Sequence, residues 1–201
     1  MHRDANGLLH LAVTVFGAWS RTLDYDLTWL NGALPMRFAR TRRMIHWRDV
    51  WYSQVQCLLP ADVERPEPVQ LHVSAMTGTV SSTELADFLL DHADGVIFAA
   101  ETDRVRIEAT LEAHGRLEAW LARRERALVV YQFDESADTD RLTPDELRAK
   151  LRCGNRPWFE SKAVEARDVR PVFRAIIRLL VAAQSRGELA ARPLPASIEP
   201  L

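Results

Sequence analysis

Lysine is nearly absent from this chain of 201 residues. Of its 26 basic residues only Lys150 and Lys162 are lysines, and the other 24 are arginines. Both lysines fall in the last quarter of the chain, so chemistry that needs a lysine early is excluded. That bears most on phosphate-binding loops, whose lysine follows the first strand of the domain. Cysteine is as scarce. Cys57 and Cys153 make neither a disulfide framework nor a four-thiolate zinc site. Without a neighbouring His or Cys pattern they read as buried, inert thiols in a reducing, cytoplasmic setting. No apolar run approaches the roughly 18–20 residues of a membrane span. The polar start Met1–Gly7 does not read as a signal peptide. A net charge of −2 gives no global reason to expect a nucleic-acid partner.

What is present is globular: 47% hydrophobic and 27% charged residues, in a length of about one domain. Residues 1–187 read as that domain and 188–201 as a Pro-rich, flexible tail. Continuous apolar runs predict buried strands at Leu8–Phe16, Gly95–Ala100 and Ala127–Phe133. Alternation predicts a half-buried strand at Val69–Ala75, and Trp158–Val164 reads as a weak one. Ile45–Leu59, rich in aromatic and β-branched residues, also holds a strand, whereas Arg37–Arg43 reads as basic and irregular. Helices are expected at 27–34, from the capping box Ser81–Glu84, at 105–123, from a second capping box Thr143–Glu146 with Pro144 at its first position, and at 170–184. Strands alternating with helices imply an α/β fold with a mostly parallel sheet covered on both faces.

Other constellations are bland. His10 and His72 fall in separate strands with no register to join them, so they support structural roles better than a metal pair. Asp134, Glu135, Asp138 and Asp140 lack calcium-loop spacing and read as a solvated loop. Neither Gly-x-Ser-x-Gly nor His-Glu-x-x-His occurs.

The element order, with Asp94–Ala100, Glu108–Glu112, Val129–Tyr131 and Val172–Ile176, resembles the Ras-like small GTPases, and most closely the bacterial MglA type, which sets polarity in gliding and twitching cells. The resemblance implies a single three-layer Ras-like G-domain with a six-stranded sheet. It places the nucleotide motifs in the loops after Phe16, Ala75, Ala100, Phe133 and Val164. Each motif there is degenerate. In the phosphate loop only Gly17 matches. The lysine position falls near Thr22 or Leu23, and Asp24 lies near the position of the Mg²⁺-binding hydroxyl. In the second switch Gly78 is followed by Thr79 where the family has glutamine. The base reader corresponds to Gln132-Phe133-Asp134-Glu135, and in the last motif only Ala166 matches.

The resemblance therefore implies a pseudo-GTPase without cofactor, metal or catalytic residues. It would act through a protein partner, either a roadblock-type regulator or a true MglA-like GTPase. The partner-facing candidates are Arg37, Arg40, Arg42, Arg43, Trp47, Trp51, Tyr52, Thr79 and Phe88, since arginine with large aromatics is the composition of interface hot spots. Trp47 and Trp51 have an alternative role as internal packing of an edge strand. Two other readings stay open: a divergent nucleotide switch in which Arg21 and Thr22 replace the usual Lys and Ser, and a structural subunit of an oligomeric assembly.

Overall fold

A computed structural model describes residues 2–18, 40–47, 50–61, 67–76, 83–123, 128–134, 140–161 and 170–189, with backbone only at 40–47, 50, 51, 76, 83 and 134. The strands are β1 (His2–Arg3), β2 (Leu9–Gly17), β3 (Arg40–Trp47), β4 (Val50–Leu59), β5 (Val69–Met76), β6 (Gly95–Glu101), β7 (Leu128–Asp134) and β8 (Trp158–Ser161). The described helices are α1 (Thr83–His92), α2 (Ile107–Ala122), α3 (Pro144–Leu151) and α4 (Arg170–Ser185), with a short 3₁₀ turn at Arg104–Arg106. The expected helix at 27–34 lies outside the described residues.

All strands join one sheet in the order β3-β4-β5-β2-β6-β7-β8, with β1 against β2. The pairs from β5 through β2, β6 and β7 to β8 are parallel. The β3–β4 and β4–β5 pairs and β1–β2 are antiparallel. The mostly parallel α/β sheet is thus as expected, but the six-stranded count is corrected to eight strands among the described residues. The segment read as irregular contributes Arg40–Arg43 to β3, which pairs with β4 from Arg40↔Cys57 to Trp47↔Val50. Its arginines break the apolar alternation, and what makes it a strand is its ladder to β4.

The sheet is covered on both faces. Leu9, Leu11, Val13 and Val15 of β2 point to one face, where Val172, Phe173, Ile176 and Leu180 of α4 cover them. Phe98, Tyr131 and Phe133 point to the other, under Ala86 and Leu90 of α1, Leu117 and Trp120 of α2, and Leu147 and Leu151 of α3. Each fully buried large aliphatic or Phe side chain contributes about 1.5–3 kcal/mol. The α4 stripe therefore outweighs the modest intrinsic propensity of its β-branched residues. Helix and sheet approach so closely that a Cβ on Gly95 would stand 2.9 Å from the Ile176 Cδ1.

On its β6 side, β2 extends below the first rung, Val13↔Gly95. The exposed ladder groups there are met by β1, through His2↔His10 and Arg3↔Leu9. Asp94 meets the rest: its Oδ2 accepts from the Ala12 amide at 2.9 Å and its own amide donates to the Ala12 carbonyl at 2.8 Å. The Thr143 capping box forms as its spacing predicts: the Glu146 amide donates to Thr143 Oγ1 at 3.2 Å and the Thr143 amide donates to Glu146 Oε2 at 2.7 Å.

Candidate functional site

In a parallel α/β sheet, ligands meet the carboxyl ends of the strands. Here those ends are Gly17, Met76, Glu101, Asp134 and Ser161. Of the residues expected to form the nucleotide site, Arg21, Thr22, Asp24, Gly78, Thr79, Glu135 and Ala166 lie outside the described residues, as does Arg37 among the partner candidates.

Gly17 ends β2 opposite Ala99. A Cβ at this position would collide with the Ala99 carbonyl oxygen. The close approach of the two backbones therefore requires glycine here whether or not a phosphate is bound. Gln132, at the first position of the base-reading motif, does not sit in a loop. It lies inside β7, fully buried, on a rung with Ala99 and Phe159. Beyond it, a cavity of about 150 Å³ opens among Thr102, Phe133, Leu142, Pro144 and Glu160. That is smaller than the roughly 300–1,000 Å³ usual for small-molecule pockets.

The partner-facing candidates divide. Tyr52 is corrected to a core residue: it is fully buried and packs with Leu85 and Leu89 of α1, because its rung opposite Met76 places it beneath that helix. Phe88 is half-buried on α1, its ring 4.5 Å from the His92 ring. Arg40, Arg42, Arg43 and Trp47 occupy β3 positions opposite Cys57, Val55, Gln54 and Val50, and Trp51 stands opposite His46. That strand is the last in the described order of the sheet.

Two polar clusters were not legible in the sequence. In the first, His10 Nε2 lies 3.4 Å from Asp4 Oδ2 and His10 Nδ1 lies 2.9 Å from His72 Nε2. The chain of bonds sets the tautomers when both rings are neutral. His10 donates from Nε2 to the carboxylate and accepts at Nδ1 from His72 Nε2–H. The His72 Nδ1 is then bare, and it is buried without a partner. Burial, followed by the His10 charge, pushes His72 down to about 3. For Asp4, burial acts upward, but bonds from the Leu8 amide, His10 and the Asn6 amide outweigh it and leave the carboxyl below its ordinary value. Opposite-face parity separates His10 from Leu9, but only the β2–β5 register, with Ala12↔His72, brings the two rings together.

In the second cluster, Tyr131 Oη lies 2.9 Å from His114 Nε2 and accepts from Arg156 Nη1 at 3.1 Å. Arg156 also donates to Glu118 Oε1 at 2.7 Å. Burial pushes the Tyr131 phenol up to about 12 and the nearby Cys153 thiol up to about 11, so both stay protonated at neutral pH. Both cysteines are buried, and Cys153 is unreactive by this measure. Both clusters tie segments to the sheet: the N-terminal turn in one case, the 152–157 connection in the other. Among the described residues no group of three His, Cys, Asp or Glu is arranged to hold a metal ion, and no helix is long and apolar enough to cross a membrane. Compared with models of known protein families and with curated proteins, the chain matches none.

Proposed function

We propose that this chain is a GTPase-like domain that has lost its nucleotide and acts through protein contacts, as a regulatory or scaffold subunit. The observation that carries this reading is Gln132. Where a base reader would present a side chain to solvent and guanine, this residue is fully buried in the sheet between Ala99 and Phe159. The lysine count supports it, since neither the phosphate-loop nor the base-reader position has one. Gly17, the one matching glycine of the phosphate loop, is required by its packing on Ala99.

With no γ-phosphate to order and release its switch-like segments, such a domain holds one conformation. Its partner on this reading is a roadblock-type regulator or a true MglA-like GTPase, in a cell-polarity or motility complex. Hydrolysis of GTP is not expected. Titration calorimetry with GTP and GDP in the presence of Mg²⁺ tests the reading, together with a search for nucleotide released on denaturation. No heat and no released nucleotide are expected; micromolar or tighter binding overturns it.

A further inference from the structure

His114 of α2 and Tyr131 of β7 meet between helix and sheet, with His114 Nε2 2.9 Å from Tyr131 Oη. Arg156 closes the group from the 152–157 connection. Its Nη1 donates to the same phenol oxygen at 3.1 Å and to Glu118 Oε1 at 2.7 Å. That carboxylate oxygen also lies 3.5 Å from His114 Nε2. A guanidinium only donates, so the phenol oxygen accepts from Arg156. With His114 neutral and its ring proton on Nδ1, the phenol proton goes to Nε2 and the set is satisfied.

A second proton on the ring removes that acceptor. The His114 and Arg156 N–H groups then converge on one phenol oxygen, and the phenol proton has nowhere to go. Two cations must also share the single carboxylate of Glu118. Tyr131 and His114 are buried, whereas the Glu118 and Arg156 side chains are 45% and 34% exposed. The exposed pair is therefore the part free to rearrange. Glu118 needs only a small turn to reach His114, and it leaves Arg156 in doing so.

The connection that Arg156 anchors has few other holds. Its backbone bonds from Arg152 to Ala149, from Cys153 to Arg148 and from Arg156 to Cys153 are each 3.3 Å, beyond the usual 2.7–3.2 Å. Arg152 stands in the left-handed region at φ 49°, a conformation that costs free energy in any residue with a Cβ.

We propose that His114 is the proton-sensitive part of a latch, whose protonation draws Glu118 off Arg156 and frees the 152–157 connection from α2. The charges acting on His114 are those of Glu118 on its own helix and Arg156 on the connection. Phe98 of β6 meets the ring edge-on at 5.2 Å and brings none. Tyr131, pushed up to about 12, and Cys153, pushed up to about 11, stay protonated at neutral pH and below. Arg148 of α3 acts on Cys153 and is cationic throughout. Burial holds His114 below its ordinary 6.5; Glu118 acts upward and Arg156 downward. A ring released to solvent regains the ordinary value. The open state thus binds the proton more tightly, and opening is favoured as pH falls below about 6.5. The opening is local, and it is independent of whether the domain binds nucleotide.

Cys153 reports the opening, because it lies in the connection and is 2% exposed; Cys57, buried in β4, is the internal reference. The full chain is labelled with a pyridyl disulfide, and the ratio of modified Cys153 to modified Cys57 is read by mass spectrometry. The ratio cancels the effect of pH on the reagent. From about pH 7.5 to about pH 5.5 it should rise several-fold, with a ceiling of about ten-fold for one proton. His114→Gln offers the phenol a carbonyl and does not titrate, so its ratio should stay flat. Glu118→Gln should raise the ratio already at the higher pH, because Arg156 loses its carboxylate. A wild-type ratio that does not move, or a rise that His114→Gln retains, overturns the proposal. Should circular dichroism show either variant unfolded, a wild-type NMR titration decides. The 152–157 amides should then shift with the midpoint of the His114 ring, and amides that ignore the ring overturn the latch.

Discussion

His72 Nε2 stands 2.9 Å from His10 Nδ1 across adjacent strands, and the His72 Nδ1 is left buried without a partner. The pair turns two scattered histidines into one hydrogen-bonded chain anchored on Asp4. It also makes the fold sensitive to acid.

A histidine held neutral by burial binds its proton more readily when unfolded. The folded His72 titrates at about 3 against an ordinary 6.5. Between these values the unfolded chain holds more protons, so stability falls as pH falls from 6.5 toward 3, by at most about 1.4 kcal/mol per pH unit from this group. Asp4, whose carboxyl is also lowered, loses its contribution in the same direction as pH falls. Urea melts at a series of pH values should show His72→Gln less acid-sensitive than the wild type. Equal slopes would mean that His72 is solvated in the native state.

Gly17→Ala should destabilise the domain, because its methyl meets the Ala99 carbonyl oxygen, a backbone atom fixed by the β2–β6 ladder. Overpacking of this kind costs about 1–3 kcal/mol. Gly115→Ala is the matching control. Gly115 is exposed within α2 with open space around its Cα, so alanine there should stabilise by about 0.5–1 kcal/mol through helix propensity. Chemical denaturation of both variants checks the opposite signs.

Tyr131→Phe removes the hydroxyl shared by His114 and Arg156. The buried His114 nitrogen then loses its closest partner, at a cost of about 1–3 kcal/mol. Hydrogen exchange should show the 152–157 connection opening sooner than in the wild type, while the β2 and β6 amides keep their order of protection. Unchanged exchange there would show that Arg156 and Glu118 hold the connection alone.

Thr143→Ala removes the hydroxyl that accepts from the Glu146 amide, while the residue 143 amide can still donate to Glu146, and should cost about 1 kcal/mol. Thr143→Ser, which keeps the hydroxyl, should recover most of that in a thermal melt.

The sequence by itself determined the features whose cause is local. Strands β2, β6 and β7 are legible because a strand buried on both faces is apolar at most of its positions, and such runs are nearly continuous in the chain. The α3 cap is legible because both of its bonds lie within four residues. The α4 stripe is legible because the helical period repeats its apolar positions. The scarcity of lysine needs no coordinates.

The tertiary structure decided whatever depends on register between distant segments. Strand β3 exists through its ladder to β4, so its arginines hid it from any pattern. Tyr52 looked like a surface aromatic until its rung placed it beneath α1. Gln132 occupies a motif position in the sequence and a core position in the sheet. His10 and His72 meet because parallel pairing sets Ala12 beside His72. Side-chain period and propensity act over a few residues, whereas register is set by the packing of both sheet faces at once.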